Sequence, residues 1–393
     1  MTKHDMDTIP ALYLLIKNKT FPVVQDTVKT RPITSHYRHP FRPLARHCTR
    51  GLSLLLKHAH LSLGSTISLM CLTTSESTSF WDNAIQQYGD IDTQFLRLFE
   101  FDLDSMYYHI PQKECMAAIQ QFFEMFKSVF KRRNVAICRQ HRSLDRIGCG
   151  SSELYINIPI ETLFRFCAFE LHGNGIARVG HITYQQTTGI PMGGIPSGPI
   201  ANIFLLMREI NGRALHVSRK FWYFRYLDNL PGIYDTRVTT LTAVEHSLRT
   251  IYCMPMKLES TGCVLDSLEL RITLVNNTIS YYQKPMLHDC MHPVLKGIDP
   301  SVQRVPPTWC SNRKGFLGIY MPGALLKCVR HSSSFLGLML SLKNLTLGLL
   351  KHGFTLRQLL GKIRQFCFNR HIHSNLLNYV SPLIEQHLDL YPG

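Results

Sequence analysis

The segment FLRLFEFDLD, residues 95–104, limits what this chain can fold into more than any other stretch. Phe99, Phe101 and Leu103 alternate with Glu100, Asp102 and Asp104, so an extended backbone puts three apolar side chains on one face and three carboxylates on the other. Acids are the scarce class here: 393 residues carry 43 Lys+Arg against 27 Asp+Glu, a formal charge of +16. Three acids on one face of an otherwise apolar strand have two explanations. Either solvent takes them, or a bound divalent cation does.

With 45% hydrophobic and 18% charged residues, the chain can bury a sizeable core, which excludes wholesale disorder. Its length predicts two or three domains, or one large multi-lobed one. No uncharged apolar run reaches about 18 residues, so a spanning helix is not expected. The apolar stretch from Ile9 to Ile16 follows Asp5 and Asp7 and precedes Lys17 and Lys19, which is poor signal-peptide grammar and predicts an intracellular protein. Twelve cysteines without a CxxC, the closest pair being Cys253 and Cys263, read as core thiols rather than a disulfide framework.

The charge is uneven. Residues 1–60 carry +7 and residues 297–393 carry +8, leaving +1 for the centre. A near-neutral body between basic flanks fits chemistry in the middle and a polyanion held at the ends, nucleic acid first among candidates. A solvated basic surface accounts for the charge nearly as well.

Along the chain, Phe21–Val28 and Arg31–Tyr37 predict a basic hairpin around Lys29 and Thr30. Leu52, Leu55, Leu56 and Ala59 mark one helix face within Leu44–His60, and Ile119, Phe122, Phe123, Phe126 and Phe130 mark another within Gln112–Arg132. The basic residues from Lys131 to Arg146 predict an exposed connecting region. GIPMGGIPSGP, residues 189–199, precedes IANIFLLM and reads as a Gly/Pro loop feeding a helix; it lacks the lysine of a phosphate-cradling P-loop. FWYFRYL, residues 221–227, followed by Asp228, Asn229 and LPGIY, predicts a tight hairpin with an acid at its tip. A second hairpin is expected around Asn276 and Asn277. Beyond Lys314 the leucines, among them Leu338, Leu342, Leu345 and Leu349, then Leu356, Leu359, Leu360 and Ile363, predict a basic helical bundle.

An acid-bearing strand, a Gly/Pro loop opening a helix and an aromatic hairpin tipped by Asp follow one another in the order of the reverse-transcriptase palm. FDLDSMYYHIP resembles the first palm motif, QTTGIPMGGIPSGPIANIFL the second, and FRYLDN the third, usually written Tyr-x-Asp-Asp. Within that family the chain is most similar to the Penelope-like elements, which group with telomerase. LYLLIKNK and TRPITS resemble their fingers motifs, LDSLELRITLVNNTISYYQKP their segment ahead of the thumb, and CVRHSS with LLKHGFTLRQLL their thumb. The resemblance covers nearly the whole chain and is strongest from residue 100 to 285.

The resemblance implies a mixed α/β right-hand polymerase with an antiparallel palm sheet and a helical thumb. Its parts would be N-terminal fingers over 1–98, palm over 99–295 with a fingers insertion at about 112–184, and a basic thumb over 296–393. The implied activity is RNA-directed DNA polymerisation: a primer 3′-hydroxyl attacks an incoming deoxynucleoside triphosphate on an RNA template, with two Mg²⁺ ions at the reacting phosphate. By the same resemblance Asp102 and Asp228 hold the ions, and Tyr107 packs under the deoxyribose, where its bulk excludes a 2′-hydroxyl. Lys17, Lys19 and Arg31 would grip the triphosphate, and Gln185, Gly189, Pro191, Met192 and Gly193 would shape the pocket over the nascent base pair. Lys257 and Lys284 are weaker candidates, for which surface solvation serves equally well.

Asn229 departs from the pattern, standing where the family has its second hairpin Asp. Asparagine keeps the size and an oxygen ligand but removes a charge. Two expectations follow: weakened or Mn²⁺-shifted activity with Asp104 as a compensating ligand, or a decayed polymerase that only binds nucleic acid. An RNA-directed RNA polymerase is a third, disfavoured by Tyr107 and by the lack of a Gly before the hairpin Asp. The partners implied are RNA template, primer duplex and deoxynucleoside triphosphates, with no membrane. Residues 297–393 hold only Asp299, Glu385 and Asp389 as acids, too few for a ribonuclease H cluster, so no nuclease domain is expected. The compartment is left between mitochondrion and nucleus.

Overall fold

The computed structural model describes residues 10–16, 30–35, 39–64, 68–131, 133–173, 175–179, 181–212, 221–284, 315–351, 354–370 and 382. Two strands open it, β1 (Ala11–Ile16) and β2 (Thr30–Ser35), followed by helices α1 (Arg42–Leu63) and α2 (Ser77–Tyr88). Strand β3 (Leu96–Leu103) leads through one helical turn, Met106–His109, to α3 (Gln112–Ser128). Next come β4 (Asn134–Cys138), β5 (Arg146–Ile147), β6 (Tyr155–Pro159) and α4 (Ile160–Ala168), then β7 (Ile176–Val179), β8 (Ile182–Gln185) and α5 (Ser197–Asn211). The hairpin strands β9 (Phe221–Tyr223) and β10 (Asn229–Asp235) precede α6 (Leu241–Tyr252) and β11 (Met256–Gly262). The rest is β12 (Val264–Ser267), β13 (Leu270–Val275), β14 (Thr278–Gln283), α7 (Phe316–Arg330), α8 (Phe335–Lys351) and α9 (Leu356–Asn369). One sheet has the strand order β11-β3-β10-β9.

The chain divides into two compact units, the first made of residues 1–72, 101–230 and 239–259. Its helices form as their apolar spacing predicts: Leu52, Leu55, Leu56 and Ala59 of α1 and Ile119, Phe122, Phe123 and Phe126 of α3 are buried. β2 pairs antiparallel with β1, Tyr13 opposite Ile33; Phe21–Val28, the other strand of the predicted N-terminal hairpin, lies outside the described residues. The region between Lys131 and Arg146 is corrected. Its basic residues Lys131, Arg133, Arg139, Arg142 and Arg146 are exposed, but Val135–Cys138, between Arg133 and Arg139, form the buried central strand of the sheet β5-β4-β6.

The second unit comprises residues 73–100, 231–238 and 260–393. Here β12, β13 and β14 form an antiparallel meander. Asn276 and Asn277 turn the second hairpin at φ 50° and 56°, the left-handed conformation that asparagine tolerates best among residues with a side chain. Helices α7, α8 and α9 pack around Met321, Leu325, Leu342, Leu349, Leu359 and Ile363, and a Thr355/Gln358 capping box starts α9. Glu100 answers neither explanation offered for the acid face of its strand. It is buried, 7% exposed, and accepts a hydrogen bond from Ser267 Oγ at 3.1 Å.

Ten cysteines among the described residues are free, seven of them buried, and burial pushes the Cys115 thiol up to about 12. No helix among the described residues is long and apolar enough to cross a membrane.

Candidate active site

Asp102 lies near the C-terminal end of β3, half-buried between the fully buried Phe101 and Leu103. The amide of Leu103 donates to Asp228 O at 2.8 Å, which sets the hairpin turn beside the Asp102 strand end. The hairpin closes as tightly as its sequence predicts. Tyr226 and Asn229 exchange two backbone hydrogen bonds of 2.9 Å each, leaving Leu227 and Asp228 as the two turn residues. Asn229 Nδ2 donates to Asp228 Oδ1 at 3.1 Å, so the amide in the second acid's place neighbours the first acid.

Asp104 lies one residue beyond the strand and is exposed; its amide donates to Pro255 O at 3.0 Å and its carboxylate accepts from Ser105 Oγ at 3.2 Å. On β11, Lys257 donates to Glu259 at 2.6 Å. That bond raises the Lys257 pKa, and the charges of Asp102 and Asp104 add to the effect.

Among the described residues no three His, Cys, Asp or Glu converge into a metal-ligating cluster. Asp102 and Asp228 nevertheless offer hard oxygen donors on neighbouring strand ends, both half-buried. That set fits Mg²⁺ or Mn²⁺, which are held by one or two carboxylates together with water and substrate phosphates.

Tyr107 is half-buried in the helical turn after β3, and the Gly/Pro loop hangs on its backbone. Ile190 N donates to Tyr107 O at 2.7 Å, and Gln112 Nε2 to Gly189 O at 3.1 Å. Gly189 has φ +73°, and a Cβ there would lie 2.5 Å from Tyr107 O. Only glycine allows this approach. Gly189→Ala should cost about 1–3 kcal/mol, read as a lower denaturant midpoint. The other end of the loop meets β2: Thr34 N donates to Met192 O at 2.7 Å, and a Cβ on Gly193 would lie 2.6 Å from Thr34 O. Ser197 Oγ holds Pro191 O at 2.5 Å. Burial raises the Tyr107 hydroxyl pKa, the charge of Asp228 adds to this, and Arg225 opposes it.

Tyr107, Gly189, Pro191, Met192 and Gly193 thus belong to one bonded assembly, and Asp102, Asp228 and Asn229 to the adjoining strand ends. Gln185 ends β8 and is exposed. Arg31 occupies the β2 position opposite Leu15. Lys17 and Lys19 lie outside the described residues, and Lys284 follows β14 in the second unit.

Sequence reasoning missed a buried ion pair beneath the hairpin. Arg225 Nε donates to Glu209 Oε1 at 2.5 Å, and both side chains are 0% exposed. Arg225 Nη1 donates to Asn202 Oδ1 at 2.8 Å and to Leu227 O at 3.1 Å, while the Tyr252 hydroxyl donates to Glu209 Oε1 at 3.1 Å. The available signal was a lone Arg225 inside the apolar run FWYFRYL and the Arg208-Glu209 pair inside IANIFLLMREI.

Also missed was a basic groove along α1. Two adjoining cavities of about 490 and 420 Å³ share Arg50 and Arg142. Arg46 and His47 line one, and Lys57 lines the other beside Asn202 and Leu227. The acid in it, Asp145, accepts two bonds from Arg50 at 2.5 and 2.9 Å.

No protein-family model and no curated protein matches this sequence. Solved structures do. Telomerase from Candida albicans, in complex with a TWJ fragment of telomeric RNA, matches with a TM-score of 0.60 at 13% identity over 99% of this chain and 65% of that one. Apo telomerase from Candida tropicalis matches at 0.54 and 11% identity over 95% and 62%, and its complex with the TWJ fragment at 0.52 and 12% over 98% and 54%. This chain therefore spans less than two thirds of the length of these telomerases. At such identities the likeness establishes the fold: the chain is a mixed α/β protein of the right-hand polymerase type that telomerase shares, as the motifs predicted.

Proposed function

We propose that the chain is an RNA-directed DNA polymerase that extends a primer 3′-hydroxyl on an RNA template. The observation that carries this reading is the Leu103 N to Asp228 O bond, which ties the residue after Asp102 to Asp228 and so brings the two motifs together at one pair of strand ends. Asp102 and Asp228 would hold the divalent ions, which supply Lewis-acid stabilisation of the attacking and leaving oxygens. Tyr107, fixed through its carbonyl to the Gly/Pro loop, forms the floor under the sugar. The loop from Gly189 to Gly193, with Gln185, bounds the nascent base pair, and Arg31, Lys17 and Lys19 meet the triphosphate.

Tyr107→Ala tests the sugar assignment. It should raise ribonucleotide incorporation relative to deoxynucleotide by about tenfold or more, the scale of one steric contact in a pocket. Ribonucleotide preference in the unaltered protein would overturn the choice of DNA as product.

The α1 groove supports the RNA template as partner, because exposed Arg46, Lys57 and Arg142 present phosphate-binding cations up to the hairpin tip. Arg46→Ala combined with Lys57→Ala should weaken RNA binding at every sequence and lower the slope of log affinity against log salt by about 2. An unchanged slope in filter-binding titrations would remove the groove from the template path.

Asn229 favours a second reading, a polymerase fold that binds nucleic acid without catalysis, since the site holds one acid fewer than its family pattern. Binding without extension in either Mg²⁺ or Mn²⁺ is its signature.

A further inference from the structure

The Arg225–Glu209 pair has no part in nucleotidyl transfer as described above, yet it ends one residue from Asp228. A buried ion pair is a poor device for stability, because desolvation offsets the attraction and apolar residues of similar volume often serve as well. This pair is also incompletely satisfied: Arg225 Nη2 and Glu209 Oε2 are buried without a hydrogen-bond partner. Its worth must lie in what it holds.

It holds the turn. Leu227 has φ +54°, a left-handed conformation that leucine reaches only under constraint. The Leu227 carbonyl accepts Arg225 Nη1 at 3.1 Å. Arg225 itself is clamped on both sides, its amide donating to Leu69 O and its carbonyl accepting from Cys71 N, each at 2.7 Å. The guanidinium is anchored by Asn202 and Glu209, seven residues apart, hence two turns apart on one side of α5. The same helix begins at the Gly/Pro loop that carries Tyr107 O, and Gly198 in its first turn faces the Tyr107 hydroxyl. One helix thus sets both the sugar floor and the acid-bearing turn.

We propose that Arg225 is a positioning residue: anchored to Glu209 and Asn202 of α5, it holds the strained Leu227 carbonyl and so fixes the Asp228 carboxylate beside Asp102 for divalent-cation binding. This rests on the reading of Asp102 and Asp228 as cation ligands. The chain's own rigid helix, rather than the hairpin, then determines where that carboxylate stands.

The test is Mn²⁺ affinity measured by electron paramagnetic resonance on the full chain without nucleic acid, with thermal melting as the fold control. Arg225→Met combined with Glu209→Leu replaces the pair by apolar side chains and should melt close to the parent. Its Mn²⁺ affinity should fall about 10-fold or more, as for other residues that orient ligands. Arg225→Lys should recover part of that loss. Asn202→Ala keeps the ion pair, removes one anchor and lines an open cavity; it should lose about threefold, a fraction of the same effect. Primer extension should show the split expected of a misplaced ligand, a lower kcat with little change in nucleotide KM. The proposal is overturned if every folded variant binds Mn²⁺ as the parent does. If the parent binds no Mn²⁺, or binds it equally well as Asp228→Ala, the cation site itself fails, and the inference fails with it.

Discussion

Asp102→Asn should abolish primer extension, with a loss of about 10³-fold or more, while the melting transition stays where it is. The substitution conserves shape and removes one anionic oxygen at the end of β3. Phe101 and Leu103, the buried neighbours that fix the strand, are untouched. Each lost power of ten corresponds to about 1.4 kcal/mol of transition-state stabilisation, and a charged ligand to a catalytic cation supplies several kcal/mol. Asn229 makes the effect larger than in a site with a third acid to fall back on: among the described residues no cluster of three ligating side chains exists. Extension retained within tenfold would mean that Asp102 is not a ligand.

Glu209→Ala should be the most destabilising single change in the first unit, costing about 3–5 kcal/mol. It leaves the Arg225 guanidinium buried at 0% exposure with its main counter-charge gone. Tyr252 would lose its acceptor as well. The network is coupled: burial pushes the Tyr223 and Tyr252 hydroxyls well up, the Glu209 charge pushes them further, and Arg225 opposes it. Chemical denaturation followed by tryptophan fluorescence reads the cost. A loss below about 1 kcal/mol, the scale of a solvated pair, would mean that water reaches Arg225.

The two predictions differ in how far they were legible beforehand. The strand that carries Asp102 and the hairpin that carries Asp228 could be read from sequence because strand alternation and a tight turn are local patterns, whereas their role as ligands came from the resemblance alone. The helices of the basic bundle and the α1 and α3 faces were legible for the same reason, since 3.6-residue periodicity survives without tertiary context. Strand pairing was not. β2 pairs with β1, a partner that local pattern did not give it. Val135–Cys138 was hidden by the arginines around it, because charge density on the flanks says nothing about a five-residue strand paired on both edges.

The turn missed at Leu268 and the start of the predicted hairpin turn at Leu227, one residue ahead of Asp228, share a physical cause. Leu268, between β12 and β13, and Leu227 both take φ +54°. Leucine carries no turn signal, so a third strand in the β12-β13-β14 meander went unread, whereas the Asn276–Asn277 turn was legible. At Leu227 the missing signal belongs to Arg225, whose bond to the Leu227 carbonyl replaces the glycine that a relaxed turn would use. Likewise Glu100 looked like a third member of an acidic face and is instead a buried acceptor for Ser267. Which acids on one strand reach solvent depends on what covers each end of it, and alternation does not encode that.

The most direct measurement is primer extension on an RNA template by the unaltered chain, run with deoxynucleotides and ribonucleotides in Mg²⁺ and in Mn²⁺, beside Asp102→Asn and Asn229→Asp. A working polymerase predicts deoxynucleotide extension that is stronger in Mn²⁺, absent in Asp102→Asn, and raised in Mg²⁺ by Asn229→Asp. RNA binding without extension in either metal, unrescued by Asn229→Asp, would contradict it and leave a polymerase fold that only binds nucleic acid.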